Sequence, residues 1–358
     1  MPINRLYHTW FQRIRELRPG QRITQVRAFV WLIAGIFESR SVNLSRIAQR
    51  IPGEAVLVSV TRRLSRLLSN PAIVVREWYE PMARQWLERQ AASLQEIRLI
   101  VDGSKVGFAH QLLMVSMAYR RRAIPIAWSW VDHVKGHSSA KVHLQLLKYV
   151  CSLLPNGIAV TLVGDREFGP VEVLSQLDQW GWNYVLRQKG SVHVCLADQT
   201  EWRDFSSWVK KPGQRRGLGK GWLSERDVYP AYLLVYWAVG EDEPWCLATN
   251  IPYPDLALKA YQRRMWIEEM FGDMKAHGFD LESTMLRHAE RLSRLTLAVA
   301  LLFLWSVSTG TRAIHAGSRH LVDRKDRRDL SIFQIGLRMI YRFLVNAHPL
   351  PLSLCTYR

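Results

Sequence analysis

Cysteine is scarce in this chain, with four in 358 residues: Cys151, Cys195, Cys246 and Cys355. None forms a C-x-x-C pair, so their spacing offers neither a zinc cage nor a disulfide framework, and a reducing compartment is expected. No G-x-G-x-x-G follows the first strand-like run, which removes a dinucleotide-binding Rossmann reading. Long hydrophobic runs are missing too. The longest, Leu295 to Val307, is shorter than a bilayer requires and contains Thr296, Trp305 and Ser306, so a buried helix is expected there. The opening residues MPINRLYHTWFQRIRELRPG scatter charge without an apolar centre, unlike a secretory signal. No basic amphipathic helix with an aromatic apolar face stands out, so no membrane partner is expected.

Acidic residues are in short supply: 31 Asp and Glu stand against 49 Lys and Arg, a net charge of +18. The imbalance is uneven. Residues 1–95 hold 15 basic and 6 acidic side chains, residues 96–309 hold 25 and 22, and residues 310–358 hold 9 and 3. A polyanion gripped by both ends and processed in the near-neutral middle would suit this pattern, and a generically soluble basic protein is the plain alternative. With nearly half its residues hydrophobic, the chain is expected to be globular and long enough for two or three domains.

Three stretches carry candidate chemistry. EIRLIVDGSKV and GIAVTLVGDREF are short apolar runs that place Asp102 and Asp165 at or near the ends of buried strands, where α/β sheets gather their ligands. In YQRRMWIEEMFGDMK, Tyr261, Arg264, Glu268 and Lys275 follow at spacings of three, four and seven. On one continuous helix that spacing gathers a hydroxyl, a guanidinium, a carboxylate and an ammonium within roughly 60° of arc. A Glu-to-Lys stripe on a helix is usually a solvated face, but two strand-borne aspartates able to join the glutamate shift the balance toward a metal and phosphate site.

These residues, with the DREF run at Asp165 to Phe168 and the YVLRQKG run at Tyr184 to Gly190, resemble the DDE transposases of bacterial insertion sequences. The nearest branch is the cut-and-paste one (insertion-sequence family four) with the Tyr-Arg-Glu-Lys signature, and the resemblance covers roughly residues 96 to 310. It implies an α/β, RNase H-like mixed-sheet catalytic core interrupted by a β-rich insertion before the glutamate helix. It also implies that Asp102, Asp165 and Glu268 are catalytic and hold two magnesium ions about 3.5 to 4 Å apart, with manganese able to substitute. Arg264 and Lys275 would neutralise phosphate oxygens and Tyr261 would hydrogen-bond one. The partner implied is double-stranded DNA, both terminal inverted repeats and target, held by a homodimer in a synaptic complex in the bacterial cytoplasm, associated with the nucleoid. The implied reaction is nicking, hairpin formation, hairpin opening and strand transfer.

The remaining expectations follow the chain. Residues 1–92 read as an all-helical DNA-binding domain. Asn43 is a candidate N-cap, and SVTRRLSRLL forms a helix with Arg62, Arg63 and Arg66 toward DNA and Val60, Leu64, Leu67 and Leu68 inward. A helix over 76–90 is expected to break or shift at Pro81. Residues 93–310 read as the catalytic domain: strands over 96–106, 111–119 and 123–132, a helix over 140–154, the Asp165 strand, a helix over 169–180 and a strand over 183–188. The insertion, about 190–255, is expected to carry a Lys-, Arg- and Gly-rich loop in which Trp202, Trp208 or Trp222 could stack an extruded base, although any single tryptophan more often fills a core. Residues 311–358 read as a basic helical region. Asp132, Glu167, Glu269 and Asp273 are further acids near the proposed ligands, and His133 and His137 read as loop residues. Two alternatives stay open: a catalytically silent DNA-binding regulator, and an RNase H-like metal-dependent nuclease of recombination or repair.

Overall fold

The computed structural model describes residues 2–107, 110–132 and 138–355; His133 and His137 lie outside the described residues. Five helices come first: α1 (Pro2–Leu17), α2 (Ile23–Ser39), α3 (Leu44–Ala48), α4 (Leu57–Leu68) and α5 (Val75–Leu94). Strands β1 (Glu96–Val106), β2 (His110–Tyr119) and β3 (Arg122–Asp132) follow, then α6 (Ala140–Cys151), β4 (Ala159–Gly164), α7 (Val171–Gln179) and β5 (Asn183–Gln188). Next come β6 (His193–Leu196), β7 (Arg203–Asp204), β8 (Arg215–Leu223), β9 (Tyr229–Tyr236) and β10 (Trp245–Thr249). Four helices close the chain: α8 (Pro254–Tyr261), α9 (Met265–Met274), α10 (Ala289–His315) and α11 (Ile332–Val345). By packing the chain forms two compact units, Met1–Trp86 with Lys105–Gln111 and Met270–Arg358, and Leu87–Ser104 with Leu112–Glu269.

The first unit is helical, and α10 is its axis. Every residue from Leu295 to Thr311 is buried. The helix is longer than the apolar run suggests and passes a length-and-composition test for crossing a membrane, yet its most apolar stretch is 94% buried among its neighbours. Its serines and threonines are accommodated locally: Thr296 and Ser306 donate to the carbonyls of Leu292 and Leu302, one turn back. Arg294, also buried, donates to the carbonyls of Leu68 and Ile73 at 3.0 and 3.1 Å and so satisfies the end of α4. Asn43 caps α3 as its side chain suggests, accepting from the amides of Ser45 and Arg46.

Pro81 does not interrupt α5. The carbonyl that a proline at this position strips of its partner is that of Glu77, and Arg18 Nη1 donates to it at 3.2 Å while Nη2 pairs with the Glu77 carboxylate at 3.0 Å. One arginine thus repairs the helix from outside, which a local reading of the sequence has no means to anticipate.

Helices α10 and α11 meet backbone to backbone. A Cβ on Gly336 would lie 1.7 Å from the Ser306 carbonyl oxygen, and one on Gly310 would lie 2.0 Å from that of Ile332. The obstructing atoms are main chain within regular helices, so the clash has no cheap relief.

The second unit is built on one ten-stranded mixed sheet of order β3-β2-β1-β4-β5-β10-β9-β8-β6-β7. β1 pairs with β4 and β4 with β5 in parallel, and β10 joins β5 antiparallel. β2 is buried at eight consecutive positions, which accounts for its unbroken apolar run. The β2–β3 turn consists of Arg120 and Arg121, both at positive φ (44° and 62°), the geometry of a tight two-residue hairpin. The region expected as a β-rich insertion carries β6 to β10, but part of the segment expected as its basic loop is a strand. Arg215–Leu223 is a strand, and β6 to β10 extend the same sheet from β5. A register shift between Gly217 and Gly219, with Gly219 at φ 77°, accommodates the glycines that read as loop.

Replacing Gly336 with alanine should destabilise the protein by about 3 kcal/mol, read as a lowered denaturant midpoint in the helical signal. An unchanged midpoint would contradict the close helix crossing.

Candidate acidic site

Register places the first two acids. Val101 of β1 stands opposite Gly164 of β4 at the last pair of the parallel ladder, so Asp102, within β1, and Asp165, just beyond the end of β4, follow it side by side. Gly164 permits this closeness, since a Cβ there would meet Val101 Cγ1 at 2.7 Å. Asp165 then turns the chain into a short 3-10 helix, Arg166–Phe168.

The third acid arrives through an arginine. Arg264 Nη1 donates to Asp102 Oδ2 at 2.8 Å and Nη2 to Glu268 Oε1 at 2.7 Å, so one guanidinium lies between the two carboxylates. Arg264 and Asp102 are nearly enclosed, with side chains 12% and 13% exposed, whereas Glu268 is 46% exposed. The other Asp102 oxygen accepts from the Gly103 amide at 2.8 Å. Burial pushes the Asp102 carboxyl up to about 7; Arg264 opposes this, and the charges of Asp165 and Glu268 add to it. For Arg264, burial works against the charged form, but Tyr261 and the three acids outweigh it and raise its pKa further.

Asp165 is less well satisfied. Its Oδ1 is buried without a hydrogen-bond partner, and the closest guanidinium nitrogen, Arg187 Nη1, is 3.8 Å away. Arg187 itself is drawn toward Glu243, which it contacts at 2.7 Å and which also holds Arg166 at 3.1 Å. Sequence reasoning did not single out Arg187 or Glu243. An arginine inside the apolar strand YVLRQ was the available signal, while Glu243 sits in a polar loop that carries none.

The Tyr261-to-Lys275 stretch is not one continuous helix. Tyr261 ends α8, Gln262–Arg264 form a 3-10 turn, and α9 begins at Met265. A 3-10 turn rotates about 120° per residue instead of 100°, so the uniform helical spacing expected does not hold between Tyr261 and Arg264. Tyr261 turns inward: it is 2% exposed, packs edge-on against Trp245, and its hydroxyl is buried without a partner. Lys275 belongs to the helical unit, where it donates to the Lys105 carbonyl at 2.7 Å and pairs with Glu282 at 2.8 Å.

The neighbouring acids have other partners. Glu167 accepts from the Ser138 amide at 2.9 Å and from its hydroxyl, and Ser138 also bonds His143. Glu269 pairs with Arg122 at 3.3 Å. Asp273 is buried in the helical unit. Asp132 ends β3, and its side chain lies outside the described ones. Of the nucleic-acid candidates, Arg62, Arg63 and Arg66 are exposed on α4 above its buried Val60, Leu64, Leu67 and Leu68. Trp222 is 39% exposed on β8, whereas Trp202 and Trp208 are half-buried, Trp208 beneath the Arg203 guanidinium. Among the described residues, no group of three or more His, Cys, Asp or Glu is already gathered as metal ligands.

No protein-family model and no curated protein matches the sequence. Among solved structures, the chain is similar to a piggyBac transposase determined by cryo-EM as a synaptic complex with hairpin DNA. The TM-score is 0.44 and the identity 10%, over 96% of this chain and 77% of that one.

Removing the shared counter-charge tests the cluster. Arg264→Leu should cost about 3 kcal/mol by leaving buried acids unpaired, and adding Asp102→Asn should recover part of that loss in a double-mutant cycle of melting curves. Additive losses would mean that the two groups are not coupled.

Proposed function

We propose that the chain is a DNA transposase of the DDE type, cutting and joining strands at the ends of a mobile element through a hairpin intermediate. The observation that carries this reading is the in-register placement of Asp102 and Asp165 on adjacent parallel strands, with Glu268 tied to Asp102 through Arg264. The strand order β3-β2-β1-β4-β5, with β1, β4 and β5 parallel, supports an RNase H-like core.

The donor set suits a hard divalent cation such as magnesium. All candidate ligands are carboxylate oxygens, one of them, Asp165 Oδ1, is buried without a partner, and Asp102 is opposed by burial and by two neighbouring acids. Asp102, Asp165 and Glu268 would hold the cation, which when bound lowers the pKa of an attacking hydroxyl and offsets charge on the departing oxygen. The chain's own residues supply the rest. Arg264 bridges Asp102 and Glu268 and opposes the upward shift of the Asp102 carboxyl until a substrate phosphate competes for its guanidinium. Arg187 and Arg166, fixed by Glu243, set a positive wall beside Asp165. Tyr261 and Trp245 close the cluster from the core side, keeping it dry enough for these charges to act strongly.

DNA would be gripped mainly by the basic ends of the chain. The exposed Arg62, Arg63 and Arg66 on α4, and Arg324, Lys325 and Arg328 before α11, are available for phosphates, while Arg327 pairs with Asp329. Trp222, the most exposed of the three candidate tryptophans, is the first choice for stacking a displaced base.

On a labelled duplex carrying the gene's flanking repeat, with magnesium, the unmodified protein should nick or form a hairpin at the repeat end. Glu268→Ala should bind equally well and cut about 10³-fold more slowly. If both bind and neither cuts, even with manganese, the chain is a DNA-binding regulator. For binding alone, Arg62→Ala and Arg66→Ala should each reduce the slope of log affinity against log salt by about 1. Unchanged slopes would remove α4 from the interface.

A further inference from the structure

A cavity of about 250 Å3 lies within the helical unit, between α2 and α4. Its floor is apolar. Leu64 of α4 is buried, and Ala28 and Trp31 of α2 and Ile51, three residues beyond α3, are half-buried. Arg27 of α2 and Arg63 of α4 also line it, both exposed. Helical spacing accounts for the arrangement: Arg27 and Trp31 are four residues apart and share a face of α2, while Arg63 stands about 100° around α4 from the buried Leu64, on the flank of the helix. Tyr7 stacks on Trp31 with ring centroids 4.3 Å apart and so fixes the indole.

The charge of this cavity is uncompensated. No acid lines it. Among the described residues, neither the Arg27 nor the Arg63 guanidinium makes a hydrogen bond or an ion pair. Arg27 opposes the upward push of burial on the Tyr7 hydroxyl, but a phenol is neutral near pH 7 and balances no charge. In the sheet unit, by contrast, the converging Arg166 and Arg187 meet at a shared acid, Glu243. Two permanently charged guanidiniums facing one small space repel each other. An anion between them removes that repulsion and gains charge-assisted, bidentate hydrogen bonds.

The cavity holds more than one anion needs, being about eight times the liquid share of a water molecule, which is about 30 Å3. Its apolar floor suits the carbon face of a sugar. The surroundings favour a strand over a free anion: Arg62 and Arg66 are exposed on the adjoining face of α4 and continue the positive surface from Arg63, and residues 1–95 hold 15 basic against 6 acidic side chains.

We propose that this cavity seats one deoxyribose-phosphate unit of duplex DNA, the phosphate bridged by Arg27 and Arg63 and the sugar against Trp31 and Ile51. Through Arg27, α2 then fixes how α4 lies on the duplex, since phosphate contacts set orientation and register. The proposal rests on the DNA-binding part of the reading above and not on strand cutting.

The test is a salt-dependent titration of the full chain with the flanking-repeat duplex, in the presence of a chelator so that no strand is cut. Arg27→Ala should weaken binding about tenfold and lower the slope of log affinity against log salt by about 1. If that variant does not fold, Arg27→Gln, which keeps most of the stem, takes its place. Duplexes carrying a single uncharged methylphosphonate, moved along each strand, then locate the contact. At one linkage the substitution should weaken the unmodified protein about tenfold yet change the affinity of the Arg27→Ala and Arg63→Ala variants by less than about twofold, as a double-mutant cycle requires. No linkage behaving in this way would overturn the proposal. If Arg27→Ala keeps full affinity and slope while Arg62→Ala weakens binding, the cavity lies outside the interface and only this proposal falls. If the unmodified protein does not bind the duplex, the DNA reading falls with it. Inorganic phosphate that saturates below about 1 mM and is lost in Arg27→Ala, with duplex affinity unchanged in that variant, would assign the cavity to a free anion and overturn the proposal as well.

Discussion

One guanidinium, that of Arg264, joins two carboxylates, Asp102 and Glu268, beside a third, Asp165, and much of the sheet unit is arranged to make that tolerable. Two of the acids are fixed by strand register. A slip of one residue between β1 and β4 would turn one aspartate to the opposite face of the sheet, so the parallel ladder from Glu96 to Val101 defines the site as much as it does the fold. The third acid is not on the sheet and depends on Arg264 to bridge it to Asp102. Such an arrangement works against stability, because like charges are held together away from water. Persistent strain of that kind is characteristic of sites kept for chemistry or binding.

Arginine does two kinds of work in this protein, and net charge alone does not separate them. Arg18, Arg264 and Arg294 are committed within the fold: one restores the helix at Pro81, one bridges acids, and one satisfies the end of α4. Arg5 donates to the carbonyls of Phe343 and Leu344 at the end of α11. Among the charges open to a polyanion are the exposed arginines of α4 and of the segment before α11. The surplus read from composition therefore overstates the grip available, while its concentration toward the two ends of the chain remains informative.

The elements most legible in the sequence were those governed by local chemistry. Apolar runs mark β1, β4 and β5 within a residue or two, and Asn43 announces the start of α3. Asp102 and Asp165 are neighbours because each follows the last residue of the β1–β4 pairing, although β1 itself runs on to Val106. What could not be read depends on partners distant in sequence. Pro81 lies within a helix because Arg18 reaches it, and the helix expected through Tyr261 and Arg264 is interrupted by a 3-10 turn, with Tyr261 packed edge-on against Trp245. The glycines and charges of Arg215–Leu223 suggested a loop, yet pairing with β9 on one side and β6 on the other makes the segment a strand. Arg187 and Glu243 form their ion pair across 56 residues, beyond any periodicity.

The helical unit is assembled from both ends of the chain. Tyr341 donates to the Phe37 carbonyl, 304 residues away in sequence, and Trp86 to that of Leu354, 268 residues away. During synthesis, α1 and α2 must therefore wait for more than two hundred residues before α10 and α11 emerge to cover their apolar faces. The sheet unit, whose strands all lie between residues 96 and 249, is complete in sequence well before that. On the ribosome, the amino-terminal helices would thus be the first part made and among the last to settle, with their hydrophobic surface open to chaperones in the interval.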